Sequence, residues 1–419
     1  MNIRQTLRSK FDRQLSANII SLFVLKGAEY IVSFITLPYL LRVLGPAGYG
    51  SIVFCQTIMN YGNLVVDYGF NLTAPRDIAK DEPAAIPQDF AAILGAKCLL
   101  LAGATAVILV GLAIFRDHID ALLVLACLPA LVGGALFPIW YFQGIQQMRF
   151  ITIFNIAART CSVIGIFAFV REAGDVYAAA VFLSVTPLVA GLLSLAMIAR
   201  RQPHFFRRPT LAAIREKLRD GWDIFLSTLF INLYTNSNVF ILGLLTNETC
   251  VGYYAAASKL IEAVKGLLMP ISNAIFPHVS AMVKDARDDA IRFLRKAVKI
   301  IGGLALVLSV IVCLFAAPIT RLIMGDAYDA SIRVLRIISF LPFIIGLSNI
   351  FGIQTMVAFG MQRLFSRILM ASAAVNFLLV FPLVWAWQEI GMAITVVCVE
   401  SFVTITMYIA LRRHGIKLL

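Results

Sequence analysis

Charge is what this chain has least of. Of its 419 residues only 14% are Asp, Glu, Lys or Arg, and 60% are hydrophobic, whereas a soluble protein typically has about 25% charged and about 45–50% apolar residues. So little charge at this length excludes an ordinary water-soluble core, and the mean hydropathy of +0.87 fits a chain whose solvent is mostly lipid. The seven cysteines (Cys55, Cys98, Cys127, Cys161, Cys250, Cys313, Cys398) form no C-x-x-C pair. All but Cys250 lie in apolar runs, where a free thiol packs as a small hydrophobe, so neither a zinc site nor a disulfide framework is indicated. His118, His204, His278 and His414 form no cluster, and H-E-x-x-H, P-loop and nucleophile-elbow motifs are missing. No covalent chemistry and no cofactor are expected. The first apolar stretch, Ile19 to Leu41, is longer than a signal-peptide h-region of about 7–15 residues and lacks a small-residue cleavage site, so it reads as a membrane span.

What the chain has is long apolar runs. With about 20 apolar residues per crossing, the sequence predicts an all-α membrane protein of about twelve helices, at 17–41, 49–73, 90–115, 118–143, 151–170, 176–198, 222–246, 251–275, 297–320, 333–358, 367–387 and 390–411. The net charge of +13 is not a nucleic-acid signal, because the basic residues sit in short loops between spans and no soluble domain exists to hold a base. It is a topology signal. Alternate loops, counted from the N-terminal segment, hold 24 Lys or Arg, among them seven between Arg200 and Arg219; the opposite loops hold about four, Arg42, Arg116, Arg171 and Arg321. Both termini are therefore expected in the cytoplasm.

The longest polar interruption, residues 200–221, lies at the midpoint. It is expected to be a basic cytoplasmic linker with an amphipathic membrane-surface helix from Thr210 to Asp220, dividing an N-terminal lobe (1–199) from a C-terminal lobe (222–419) of six helices each. The halves are weakly self-similar. Gly48-Tyr49-Gly50 matches Gly252-Tyr253-Tyr254 at an offset of 204, and Pro129 and Gly133 match Pro342 and Gly346 in spacing. Halves with an even number of spans repeat in parallel, related by a pseudo-two-fold axis along the membrane normal.

The few charges inside the spans are informative. Lys26 and Glu29 together cost roughly 5–7 kcal/mol at a helix centre, against roughly 4–8 kcal/mol returned by the apolar residues of the same span. An ionisable residue at that cost is a functional-site hypothesis. In the second helix Gln56, Asn60, Asn63 and Asp67 fall within an arc of roughly 60°. Thr228, Asn232, Thr235 and Asn236 make a similar face in the seventh, and Lys259, Glu262 and Lys265 share a side of the eighth. One reading is structural: interhelical hydrogen bonds and ion pairs. The other is a polar passage between lobes, and corresponding helices of the two halves carrying the stripes favour it. Lys97 and Arg159 are expected to snorkel toward helix ends. Tyr30 and Tyr61 suit either core packing or stacking on a sugar. Lys265 lacks an evident partner, and Glu400 is unexplained.

Five segments carry a family resemblance: LRVLGPAGYG (41–50), DYGFNLTAPRDIA (67–79), IWYFQGIQQMRF (139–150), LLTNETCVGYYAAASKL (244–260) and PISNAIFPHVS (270–280). With them the chain resembles the polysaccharide-transporter branch of the superfamily that includes multidrug and toxic-compound extrusion proteins, and within it the O-antigen (Wzx-type) flippases. The resemblance implies a MATE-like, V-shaped pair of six-helix lobes in the bacterial inner membrane. It implies alternating access that carries undecaprenyl-diphosphate-linked oligosaccharide to the periplasmic leaflet, with membrane lipids and polysaccharide polymerase or chain-length machinery as partners. It also implies that cavity cations hold the diphosphate, a role for which Lys26, Lys259 and Lys265 stand on the right helices. Glu29 and Asp67 are the candidates for ion coupling. A multidrug exporter would want a more anionic or apolar pocket. A lipid II flippase would typically carry extra helices. A membrane-embedded glycan polymerase or ligase would need a larger periplasmic loop than the roughly 3–12 residues that the hydropathy windows leave.

Overall fold

The computed structural model describes residues 3–80, 85–115 and 119–418, with the side chains of 3–26, 28–31, 33, 230–231, 233–236, 269–274, 277, 281 and 284–285 outside the description. Every long element is a helix: α1 (Ile3–Asp67), α2 (Phe70–Ile78), α3 (Ile86–Ile114), α4 (Ala121–Leu136), α5 (Ile139–Gly144), α6 (Arg149–Phe169), α7 (Val176–Arg201), α8 (Leu211–Leu245), α9 (Glu248–Asp285), α10 (Arg287–Leu314), α11 (Ala316–Ile323), α12 (Asp329–Ile338), α13 (Leu341–Asn349) and α14 (Gln362–Arg413). Backbone groups have no water to bond in hydrocarbon, so a crossing segment must satisfy its own. Seven stretches among the described residues are long and apolar enough to cross a membrane. The chain is a multi-pass membrane protein.

The two longest helices are broken by single residues. Gly45 (φ 69°) interrupts α1, and Gln388 (φ 49°, ψ −123°) interrupts α14. The 333–358 region is less regular than its hydropathy suggests: α12, α13 and a π-helix (Ile350–Val357) follow one another, and Thr355 Oγ1 donates to the Ile350 carbonyl five residues back at 2.7 Å. The helix expected from Thr210 to Asp220 is present but not a helix of its own. Residues 211–220 are the first turns of α8, which runs on to Leu245.

The chain falls into two compact units, Met1–Leu44 with Phe54–Leu233, and Gly45–Val53 with Tyr234–Leu419. In the first, an aromatic core gathers around Phe90, whose ring centroid lies 5.3 Å from those of Trp140 and Tyr141 and 5.4 Å from that of Phe205. At this end loops of the basic set converge: Lys217 pairs with Asp89 at 2.8 Å, and Tyr141 Oη donates to Gln202 at 3.4 Å. The opposite end gathers the other set, with Tyr177 Oη donating to Asp120 at 2.7 Å and Tyr39 Oη to the Val170 carbonyl at 2.5 Å. The second unit is built around Leu294, Phe351, Met407 and Leu411.

Within the second unit the repeated glycine motifs meet. A Cβ on Gly50 would strike the Glu248 carbonyl, and a Cβ on Gly252 would strike the Pro46 carbonyl. The contact is reciprocal, as in a two-fold interface. It pairs Pro46 with Glu248 and Gly50 with Gly252, an offset of 202 rather than the 204 of the Gly-Tyr match. The helix starts agree, since Gly45 breaks α1 as Asn247 caps α9. Absent side chains let two helices approach at backbone distance.

Candidate functional site

In the first unit the polar stripe of α1 ends in a charged cluster. Asp67, at the last turn of α1, is 29% exposed, and Lys97 of α3 is 1% exposed with Nζ 3.7 Å from Asp67 Oδ1. Asn71 of α2 donates to the same oxygen at 2.5 Å. Three elements thus converge on one carboxylate. Lys97 does not snorkel. It lies 11 residues into α3, about 16 Å along the axis, which is further than one side chain reaches. Burial leaves an ion pair as its means of staying charged.

The rest of the stripe divides by surroundings. Asn60 is exposed and Gln56 half-buried. Asn63 turns toward α4, where its Nδ2 donates to the Ala130 carbonyl at 3.4 Å and Gly134 leaves room for its amide. Asn63 Oδ1 is buried with no hydrogen-bond partner among the described residues. Asn232 of α8 donates back to the Thr228 carbonyl at 2.9 Å.

In the second unit Lys259 and Glu262 pair along α9 at 2.8 Å, each about half exposed. Such an i,i+3 pair contributes only ~0.5 kcal/mol in water. Lys265, one turn further, is half-buried and within electrostatic reach of Glu400 on α14. Glu400 is thus a candidate counter-charge for Lys265.

The structure therefore brings Asp67 together with Lys97 and Asn71, and sets Lys259, Glu262 and Lys265 along one stretch of α9. The side chains of Lys26, Glu29, Tyr30 and Asn236 lie outside the described residues. Sequence reasoning missed Lys97 and Asn71 as site residues. The available signal was depth: a lysine so far from either end of an apolar run calls for an acid on a neighbouring helix. Among the described residues, no three His, Cys, Asp or Glu side chains gather as a metal site would require.

Comparison with known proteins follows the same lines. Residues 15–283 match the family described as "Polysaccharide biosynthesis protein". The chain is 36% identical over 406 residues to the "Putative O-antigen transporter" of Escherichia coli (strain K12), covering 96% of this chain and 97% of that one. It is 29% identical to the protein of the same name in Shigella dysenteriae, over 95% of this chain and 100% of the other. Among solved structures it is similar in fold to an inward-facing multidrug-resistance MATE transporter of the MOP superfamily (TM-score 0.71, 14% identity, 91% of this chain and 94% of that one). The lipid II flippase MurJ in an inward closed conformation is similar too (TM-score 0.68, 10% identity, 94% of this chain and 87% of that one).

Proposed function

We propose that this chain, which belongs to the polysaccharide biosynthesis protein family, is a flippase for a lipid-linked oligosaccharide. The cargo is undecaprenyl-diphosphate carrying an O-antigen or related repeat unit, moved from the cytoplasmic to the periplasmic leaflet of a bacterial inner membrane. The observation that carries this reading is the placement of charge on membrane-length helices in both units: the Lys97–Asp67 pair with Asn71, and Lys259, Glu262 and Lys265 along α9, where Lys259 is exposed and able to meet an anion. A sugar and a diphosphate cannot cross lipid unaided, since each unmet polar group costs several kcal/mol. Cations complement the diphosphate, and Asn and Gln offer sugar hydroxyls both donors and acceptors.

In this reading the chain crosses the membrane twelve times with both termini cytoplasmic. Residues 1–199 and 222–419 are the transport lobes, joined by the basic segment 200–221. Lys26, Glu29, Gln56, Asn60, Asn63, Asp67, Asn232, Asn236, Lys259, Glu262 and Lys265 contribute to the substrate path. Glu29 and Asp67 are the carboxylates available for ion coupling. Polysaccharide polymerase and chain-length machinery act on the delivered product.

The test is transport in reconstituted vesicles with a lipid-linked oligosaccharide. Lys26→Ala and Lys259→Ala are expected to abolish translocation while the protein stays folded in the membrane; wild-type rates in both overturn their anion-binding role. Transport indifferent to imposed pH and sodium gradients removes ion coupling. Drug resistance conferred without glycan transport overturns the reading in favour of a multidrug exporter.

A further inference from the structure

A second basic feature lies apart from the charged spans. At one end of the second unit, the turn between α9 and α10, the turn before α14 and the tail after α14 line a half-open cavity of about 320 Å³. Val283, Phe359, Met361 and Ile416 supply apolar walls, and Arg287 and His414 supply the polar ones. All three segments belong to the loops that the basic-residue asymmetry assigns to the cytoplasmic side.

The walls are built rather than left over. Met361 and Ile416 each follow a left-handed glycine, Gly360 (φ 79°) and Gly415 (φ 78°). Each donates its N–H five residues back, Met361 to the Met356 carbonyl at 2.7 Å and Ile416 to the Leu411 carbonyl at 3.0 Å. This is the Schellman ending, which fixes the apolar residue after the glycine. The tail is held further by Arg295, whose Nε donates to the Lys417 carbonyl at 2.6 Å, and by burial of Ile416 and Leu418. Arg287 is held over the Phe359 ring, 5.7 Å from its centroid, and makes no ion pair among the described residues. His414 Nδ1 lies 2.8 Å from the Ala410 carbonyl. A carbonyl only accepts, so Nδ1 carries hydrogen and Nε2 faces away from that bond.

The surrounding charge is mainly positive. Segments 286–296, 359–367 and 411–418 contain nine Lys or Arg and two Asp, and one of those, Asp289, is engaged by Arg292. We propose that this cavity is a binding site for the headgroup of an anionic phospholipid of the cytoplasmic leaflet. The phosphate lies on Arg287, a headgroup hydroxyl donates to His414 Nε2, and the glycerol and first methylenes lie against Val283, Phe359, Met361 and Ile416. A soluble nucleotide fits less well, because the one aromatic face is already covered by Arg287. The volume is at the small end of ligand sites, which run about 300–1,000 Å³, so it suits a headgroup and not the glycan cargo. The site goes beyond the transport reading and depends on it only for which leaflet it faces.

Retention of phosphatidylglycerol against phosphatidylcholine by the detergent-purified protein, read by native mass spectrometry, tests this without any transport assay. Arg287→Gln with His414→Gln is expected to lower phosphatidylglycerol retention about fivefold or more, a fixed cation near an anionic surface being worth about 1 kcal/mol and the imidazole adding a hydrogen bond. Arg412→Gln with Arg413→Gln removes more fixed charge, but neither residue lines the cavity, so its effect on retention is expected to be clearly the smaller of the two. Equal losses in both pairs, or none in the first, overturn the site. Glycerol phosphate competing as well as the lipid would make it a site for a soluble anion and overturn the lipid assignment. Should the first pair fail to fold, a photoreactive phosphatidylglycerol on the unaltered protein decides: labels concentrated at 283–287, 359–361 and 414–416 support the site, and labels spread evenly along the apolar helices overturn it.

Discussion

Lys97 is the residue whose surroundings constrain it most. Removing one member of a buried ion pair strands the other, and the stranded charge typically costs about 3–5 kcal/mol, whereas replacing both is far cheaper. Asp67 is partly exposed, so the lower end applies. Lys97→Met is expected to destabilise by about 3 kcal/mol, and adding Asp67→Asn is expected to recover most of it. Thermal unfolding of the detergent-solubilised variants measures both; an uncoupled, additive pair would remove the ion-pair account. Gly360 makes a different point. A Cβ there meets nothing within 4 Å, yet φ is +79°. Gly360→Ala is therefore expected to cost about 1–2 kcal/mol through backbone conformation alone, readable as a lowered unfolding temperature.

At the scale of elements, the reciprocal crossing of α1 and α9 rests on two missing side chains. Gly252→Ala drives a methyl group into the Pro46 carbonyl, and a backbone atom cannot step aside as a flexible side chain would. The expected loss is about 3 kcal/mol, at the upper end for overpacking. Gly303→Ala, in α10 with nothing within 4 Å, is expected instead to stabilise by about 0.5–1 kcal/mol through helix propensity. Opposite shifts in unfolding temperature check the pair. The turn after α6 depends on pH. Asp175 Oδ2 accepts the N–H groups of Arg171 at 2.8 Å and Glu172 at 3.1 Å, and these bonds hold its carboxyl below the usual carboxylate range. A depressed folded-state pKa means the turn is fully stabilised above the ordinary aspartate value and loses that stabilisation as pH falls through the depressed one. Amide exchange at Arg171 and Glu172 is expected to stay slow through the normal aspartate titration and to rise only below it, once exchange is corrected for its intrinsic pH dependence.

For the whole molecule, the testable quantity is topology. The basic-loop asymmetry predicts that cysteines placed at Ile119 and Gly174 react with an impermeant thiol reagent from the periplasmic side, and that cysteines at Gln147 and Gln362 do not. Reaction of all four, or the reverse pattern, would invalidate the orientation. The first unit already separates these loops, with Asp120 near Tyr177 at one end and Tyr141 near Gln202 at the other.

The sequence by itself determined that the protein lives in a membrane, that it is helical, and which spans carry charge. Transfer free energies add residue by residue, and a helix places i, i+4, i+7 and i+11 on one face whatever lies beside it. Hence the stripe from Gln56 to Asp67 and the set Lys259, Glu262 and Lys265 could be read directly. Only the tertiary structure decided what those faces meet. Lys97 joins Asp67 from another helix, Glu400 comes within electrostatic reach of Lys265, and Asn63 turns to α4. The 202-residue relation between the halves emerged from which backbones touch, where the sequence match was off by two. The cavity around Arg287 and His414 draws on three segments far apart in the chain. Pairings of this kind depend on how helices pack against one another, a long-range property that neither hydropathy nor helical periodicity contains.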